Sequence, residues 1–230
     1  MTTIPGNLQH VRARIATACQ RAGRGVEEVT LLAVSKTFGA DAVRAAAAAG
    51  QRAFGENYIQ EGVEKIAALR DLGLMWHCIG PIQSNKTRLV AEHFDWVHTV
   101  DRLKIAERLS AQRPADRPPL NVCIQVNIDG GANKSGVAPG EALALARAVA
   151  ALPQLKLRGL MSIPEIAPDF EAARAVHASA RALFDRLNAD GLGLDTLSMG
   201  MSDDLEAAIA AGSTMVRVGT AIFGSRASKP

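Results

Sequence analysis

The 230-residue chain has few cysteines, few aromatics and no long apolar run, and each shortage removes a class of protein. Its three cysteines, Cys19, Cys78 and Cys123, are odd in number and show no close pair at metal-ligand spacing. That argues against a disulfide framework and against zinc, and for small buried hydrophobes in a reducing cytoplasm. Aromatic residues are only 4%, and the 26 Lys and Arg are spread along the chain against 23 Asp and Glu, for a net charge of +3. A nucleic-acid binder concentrates positive charge and offers stacking rings, so no nucleic-acid partner is expected. No apolar run approaches the ~20 residues of a membrane helix, and the most apolar stretch, 142–152, is broken by Arg147. The first residues lack the basic and apolar regions of a secretory signal. A cytoplasmic protein without a membrane partner is the expectation.

What the chain does have is an alternation of short β-rich runs with Ala-rich helical stretches. Strands are predicted at 30–35, 53–55, 75–79, 96–99, 121–127, 156–161, 196–199 and 215–218. Several are apolar almost throughout, as in Leu31-Leu-Ala-Val34, which suits parallel strands covered on both faces. Helices are predicted at 7–22, 41–49 (stopped by Gly50), 141–152 (stopped by Pro153), 169–188 and 203–211. Eight strands with intervening helices make an α/β fold, a single (β/α)8 barrel domain spanning 1–230 with an extra N-terminal helix. An open doubly wound sheet would carry a Gly-rich turn after its first strand, whereas this chain has Ser35-Lys-Thr-Phe-Gly39. The Pro-rich stretch 113–119 reads as a surface loop.

Barrel chemistry sits at the C-terminal ends of the strands. Strand one ends at Lys36, where partial desolvation would suit an amine for imine formation; a solvated loop lysine is the alternative. Strand two leads to Asn57, a neutral donor or a turn residue. Strand three contains His77, ordinarily a satisfied core histidine, and leads to Gln83, Ser84 and Asn85, which could cap the next helix. Ser198 and Ser202 follow strand seven, with Ser202 placed as a helix N-cap. Asp203 and Asp204 are expected in that helix's first turn, facing outward. Gly219 and Thr220 follow strand eight. Phosphate sites of barrels are commonly built from these last two loops, with backbone N–H groups and short hydroxyls. An amine facing a phosphate cradle suits a phosphorylated carbonyl compound. Pyridoxal 5′-phosphate (PLP) satisfies both ends, and a Schiff-base aldolase acting on a sugar phosphate satisfies them equally.

A run of motifs then resembles a known family. These are Ala33-Val-Ser-Lys-Thr37, Phe54-Gly-Glu-Asn-Tyr58, His77-Cys-Ile-Gly-Pro-Ile-Gln-Ser-Asn-Lys86, Val126-Asn-Ile128 and Lys134-Ser-Gly136. They continue with Gly159-Leu-Met-Ser-Ile-Pro164, Leu197-Ser-Met-Gly-Met-Ser-Asp-Asp204 and Gly212-Ser-Thr-Met-Val-Arg-Val-Gly-Thr-Ala-Ile-Phe-Gly224. Together they resemble, over nearly the whole chain, the YggS/PROSC family of PLP homeostasis proteins, whose fold is like the N-terminal barrel of alanine racemase. Cys78, where the family often has an aromatic, and Asp129-Gly130-Gly131, in place of a more polar loop, are small departures.

The resemblance implies that Lys36 holds PLP as an internal aldimine. It places the phosphate on Ser198, Ser202 and the Gly219-Thr220 backbone, Arg217 opposite the pyridine nitrogen and Asn57 near the ring oxygen. His77 and Met161 would complete the pocket, and Lys134 would be a secondary lysine near the mouth, read from sequence alone as a solvated loop residue. A donor-only guanidinium at Arg217 favours an unprotonated ring nitrogen and a weak electron sink. Two-domain racemases take a second acid/base tyrosine from an extra domain. This chain ends at Pro230, and its only tyrosine is Tyr58. The expectation is a monomeric, non-enzymatic carrier that buffers PLP or delivers it to PLP-dependent apo-enzymes. A narrow-scope PLP-dependent racemase or lyase using Lys36 as its base is the alternative.

Overall fold

Strands apolar along their whole length are stable only with both faces covered, and a closed barrel ringed by helices provides that cover. The computed structural model describes residues 3–132 and 134–224. Within them, β1 (Thr30–Val34), β2 (Ala53–Glu56), β3 (Met75–Cys78), β4 (Trp96–Val100), β5 (Leu120–Gln125), β6 (Leu155–Met161), β7 (Thr196–Ser198) and β8 (Met215–Val218) pair in chain order, and β8 closes on β1. All pairings are parallel; Leu32 lies opposite Arg217 across the closure, and Gly55 opposite His77. Each expected strand is present to within a residue or two at its ends, and the closed barrel is the fold expected. The ends of the 1–230 span lie outside the described residues.

Around the barrel run α1 (Ile4–Arg21), α2 (Ala40–Ala48), α3 (Ile59–Ala68), α4 (Thr87–His93), α5 (Leu103–Gln112), α6 (Ala142–Ala150), α7 (Phe170–Ala189), α8 (Leu205–Ala210) and α9 (Thr220–Phe223). The extra helix α1 is anchored by Leu8, Val11 and Ile15, all buried. Gly50, at φ 85°, stops α2 in the left-handed conformation that only glycine adopts cheaply. The main core lies between strands and helices and includes Phe54, Phe94, Leu109 and Val216. Burying each such side chain contributes roughly 1.5–3 kcal/mol. Inside the barrel, Leu32, Val34, Ile79 and Met215 pack together on one side and Trp96, Cys123 and Met161 on the other.

Four local expectations are corrected. Helix α8 starts at Leu205 with Asp204, not Ser202, at its N-cap position, so Asp203 and Asp204 precede the helix. Asp204 does not face outward. It accepts hydrogen bonds from the Met201 N–H at 2.6 Å and meets His177 Nε2 at 2.8 Å, which folds the loop back on itself. Gln83 precedes a short 3-10 turn and makes no side-chain cap; Thr87 Oγ1 donates to the Ser84 carbonyl at 3.0 Å instead. In the 113–119 loop, Arg113 is buried and donates to the carbonyls of Ala91, Phe94 and Pro118, so one end of that loop is pinned. The cysteines are buried, and burial pushes the thiols of Cys78 and Cys123 up to about 12.

Candidate active-site cavity at the strand ends

The C-terminal ends of β1, β2, β7 and β8 converge on a cavity of about 350 Å³. From the β1 side Lys36 and Thr37 line it, from the β2 side Asn57, and from the β7–β8 side Ser202, Arg217, Gly219 and Thr220. Six predicted residues (Lys36, Asn57, Ser202, Arg217, Gly219 and Thr220) therefore meet in one space. Phe38, Ile79, Ile163 and Met201 add apolar wall that the sequence did not single out. Asp203 also lines the cavity, so the carboxylate expected to face away is a rim charge.

Lys36 is the second residue of a tight turn closed by the Phe38 N–H on the Ser35 carbonyl at 3.1 Å. The third residue, Thr37, has φ 69°. For a β-branched residue that conformation costs about 1–2 kcal/mol, and strain of this kind gathers at functional sites. Beneath the turn lies an ion cluster. Lys65 Nζ donates to Glu56 at 2.8 Å, to Glu61 at 2.6 Å and to the Ser35 carbonyl at 2.7 Å. Glu56 is fully buried, and burial pushes its carboxyl above its ordinary value despite the hydrogen bonds from Lys65 and Ser35 that oppose the shift. Sequence reading missed Lys65; its spacing of four from Glu61 on a helix was the available signal.

Asn57 is held by a close backbone approach. A Cβ at Gly80 would collide with the Asn57 carbonyl oxygen, which explains the glycine in the motif after β3. Asn57 Oδ1 is buried and has no hydrogen-bond partner.

On the other wall Arg217 is 4% exposed, with Nη1 donating to Ser198 Oγ at 2.8 Å and Nη2 to the Ser162 carbonyl at 2.9 Å. Burial lowers its pKa to about 10, so it remains a cation at neutral pH. Ser198 Oγ also lies 2.9 Å from His98 Nδ1, and His98 Nε2 lies 2.9 Å from His77 Nδ1. Burial holds His77 at about 3 and His98 well below its ordinary value, so both rings are neutral. With Ser198 accepting from Arg217, its own proton is available to His98 Nδ1, and His98 Nε2–H then donates to His77. His98 was not anticipated from sequence.

The structure therefore keeps His77, Ser198 and Met161 off the cavity wall. His77 stacks on Trp96 with centroids 5.1 Å apart, Met161 packs against Trp96 and Cys123, and the Ser198 hydroxyl is committed to Arg217 and His98. The main-chain N–H groups of Ser202 and Gly219 donate to no acceptor among the described residues, and Thr220 opens α9, where a first-turn N–H has no partner within the helix. Lys134 is not a freely solvated lysine: it pairs with Asp129 at 2.7 Å and donates to the Ile163 carbonyl, beside a separate depression. A larger cleft of about 560 Å³ lies on the flank between α1, α7 and α8. It is away from the strand ends, and two of its three arginines, Arg14 and Arg174, are already paired with Glu206 and Glu171.

These features define a class: a (β/α)8 barrel with an amine on its first strand end facing hydroxyl and amide donors on its last two. The family model described as the alanine racemase N-terminal domain matches residues 6–227. A pyridoxal phosphate homeostasis protein of Pseudomonas aeruginosa is 63% identical over 226 residues, covering 98% of this chain and 97% of that one. One from Escherichia coli K12 is 58% identical over 233 residues, covering 98% of each. The solved structure of PipY from Synechococcus elongatus with PLP bound is 40% identical at a TM-score of 0.80, covering 91% of this chain and all of that chain. This chain belongs to the YggS/PROSC family of pyridoxal phosphate homeostasis proteins.

Proposed function

We propose that this protein binds PLP reversibly and serves PLP homeostasis, holding the cofactor's aldehyde through Lys36 and releasing the cofactor to PLP-dependent apo-enzymes, without a dedicated reaction of its own. The observation that carries the reading is the single cavity that gathers an amine, an amide side chain, a buried guanidinium and main-chain donors. When bound, PLP supplies an electrophilic aldehyde and an electron-withdrawing ring. Lys36 Nζ supplies the amine, and the N–H groups of Ser202, Gly219 and Thr220 supply phosphate donors. Buried polar atoms are nearly always partnered, so the unpartnered Asn57 Oδ1 marks a place for a ligand's polar group, here the ring hydroxyl. Ser198 acts through Arg217, which it holds in place.

Arg217 argues for holding over transforming. A guanidinium that stays charged can only donate to the ring nitrogen, which leaves that nitrogen unprotonated and the ring a weak electron sink. Tyr58 is exposed and off the cavity wall, so it does not stand as a second acid/base. We place the protein in the cytoplasm as a monomer; no helix among the described residues is long and apolar enough to cross a membrane.

The test is titration of the purified protein with PLP, followed by visible absorbance, and then an assay of amino-acid racemisation, decarboxylation and transamination. A saturable yellow species without Lys36-dependent turnover is expected. Turnover in the ordinary range of ~1–10³ per second would replace this reading with a narrow-scope racemase or lyase. A colourless protein would point to the aldolase reading.

A further inference from the structure

We infer that the Glu56–Lys65–Glu61 cluster, in which Glu56 and Lys65 are buried, is a positioning device for Lys36, fixing the two peptide units between which its amine-bearing side chain stands. The inference rests on the proposed covalent role of Lys36 and concerns residues to which that role gives no task.

The Ser35 carbonyl belongs to the peptide preceding Lys36, and it accepts from Lys65 Nζ at 2.7 Å. The Thr37 N–H belongs to the peptide following Lys36, and it donates to Glu61 Oε1 at 2.7 Å. Those two peptide planes define φ and ψ of Lys36, so each of its backbone dihedrals is tied to a side chain from α3. Glu56, at the end of β2, completes the set by accepting from Ser35 Oγ at 2.5 Å. Lys65 bridges both carboxylates, so the hydrogen bonds are joined through one nitrogen. Thr37 is the described non-glycine residue at positive φ, and the cluster holds it there.

A buried ion cluster is a poor choice for stability alone, because desolvation consumes most of its Coulombic gain; specifying one conformation is the better use of it. The specified conformation here is that of the residue whose amine must meet an aldehyde while the phosphate stays on the far wall. Releasing the turn should therefore weaken the covalent link and spare the non-covalent contacts.

Glu61 permits the test, since its side chain is 31% exposed and its removal leaves the Lys65–Glu56 pair intact. Glu61→Ala removes the acceptor of the Thr37 N–H, whereas Glu61→Gln retains an acceptor oxygen. Affinity would be measured for PLP and for pyridoxine 5′-phosphate, which lacks the aldehyde, together with the melting temperature of the PLP-free proteins. Glu61→Ala is expected to weaken PLP at least ~10-fold, about 1.4 kcal/mol. Pyridoxine 5′-phosphate should stay within about twofold, and Glu61→Gln should regain most of the lost PLP affinity. Equal weakening of both ligands, unchanged affinity for both, or failure of Glu61→Gln to recover would overturn the positioning role. A wild-type protein whose borohydride-reduced adduct lies elsewhere than Lys36 overturns both readings, whereas an adduct on Lys36 with an unaffected Glu61→Ala overturns only this one.

Discussion

On the β1–β2 side of the cavity the supports are ionic: Lys65 sits between Glu56 and Glu61 beneath the turn that carries Lys36. On the β7–β8 side they are main-chain N–H groups and one buried cation, Arg217, whose hydrogen bonds go to neutral acceptors, Ser198 Oγ and the Ser162 carbonyl. The difference matches the role proposed for each wall. A covalent link needs one atom at one place, and a buried charge cluster enforces that at the expense of large penalties when a member is lost. A phosphate can be shared among several weaker donors, so a wall that holds one would tolerate small shifts and lose affinity gradually.

The contrast can be broken most severely on the ionic side. Lys65→Met leaves Glu56 buried without its counter-ion and is expected to destabilise the protein by about 3–5 kcal/mol, measured by denaturant unfolding. Combining it with Glu56→Gln should recover most of that loss; no recovery would mean that the charge pairing is not what matters. On the donor-rich side, unphosphorylated pyridoxal is expected to bind at least ~100-fold more weakly than PLP, about 2.8 kcal/mol, by equilibrium titration. Matching titration curves would remove the phosphate from that wall.

A smaller effect belongs to Asp204, which ties the Ser202 loop to α7. Burial pushes its carboxyl up, but the hydrogen bonds from His177 and the Met201 N–H outweigh burial and hold it below the ordinary value of 3.8. A depressed carboxyl contributes stability in full above its unfolded pKa and loses it as pH falls through the folded one. Asp204→Asn should therefore cost about 1–2 kcal/mol at pH 7 and progressively less below about pH 4, read from thermal unfolding across pH. The smallest change is Thr37→Gly. It relieves the positive φ but frees the unfolded chain, so the melting temperature should rise by no more than about 2–4 °C.

The sequence made the barrel legible because its strands are short, apolar and punctuated by Gly and Pro, and that pattern requires no knowledge of distant contacts. Lys36, Asn57, Ser202, Gly219 and Thr220 were legible for a related reason: strand ends are where barrel side chains and amides face the cavity. Ser198 and His77 do not line the cavity because their side chains point into the barrel interior, where Arg217 and His98 take them up beneath it. His98 and Lys65 went unseen because their meaning comes from partners 100 and 30 residues away, Ser198 and Ser35. Asp204 was misread because a carboxylate just before a helix ordinarily serves the helix, whereas here it closes its own loop.

The central claim, that Lys36 is the amine that holds PLP, is tested most directly by borohydride reduction of the PLP-loaded protein followed by peptide mapping. The account predicts a single major pyridoxyl adduct on Lys36, absent from Lys36→Ala. An adduct found mainly on Lys86 or Lys134, or retained by Lys36→Ala, would contradict it.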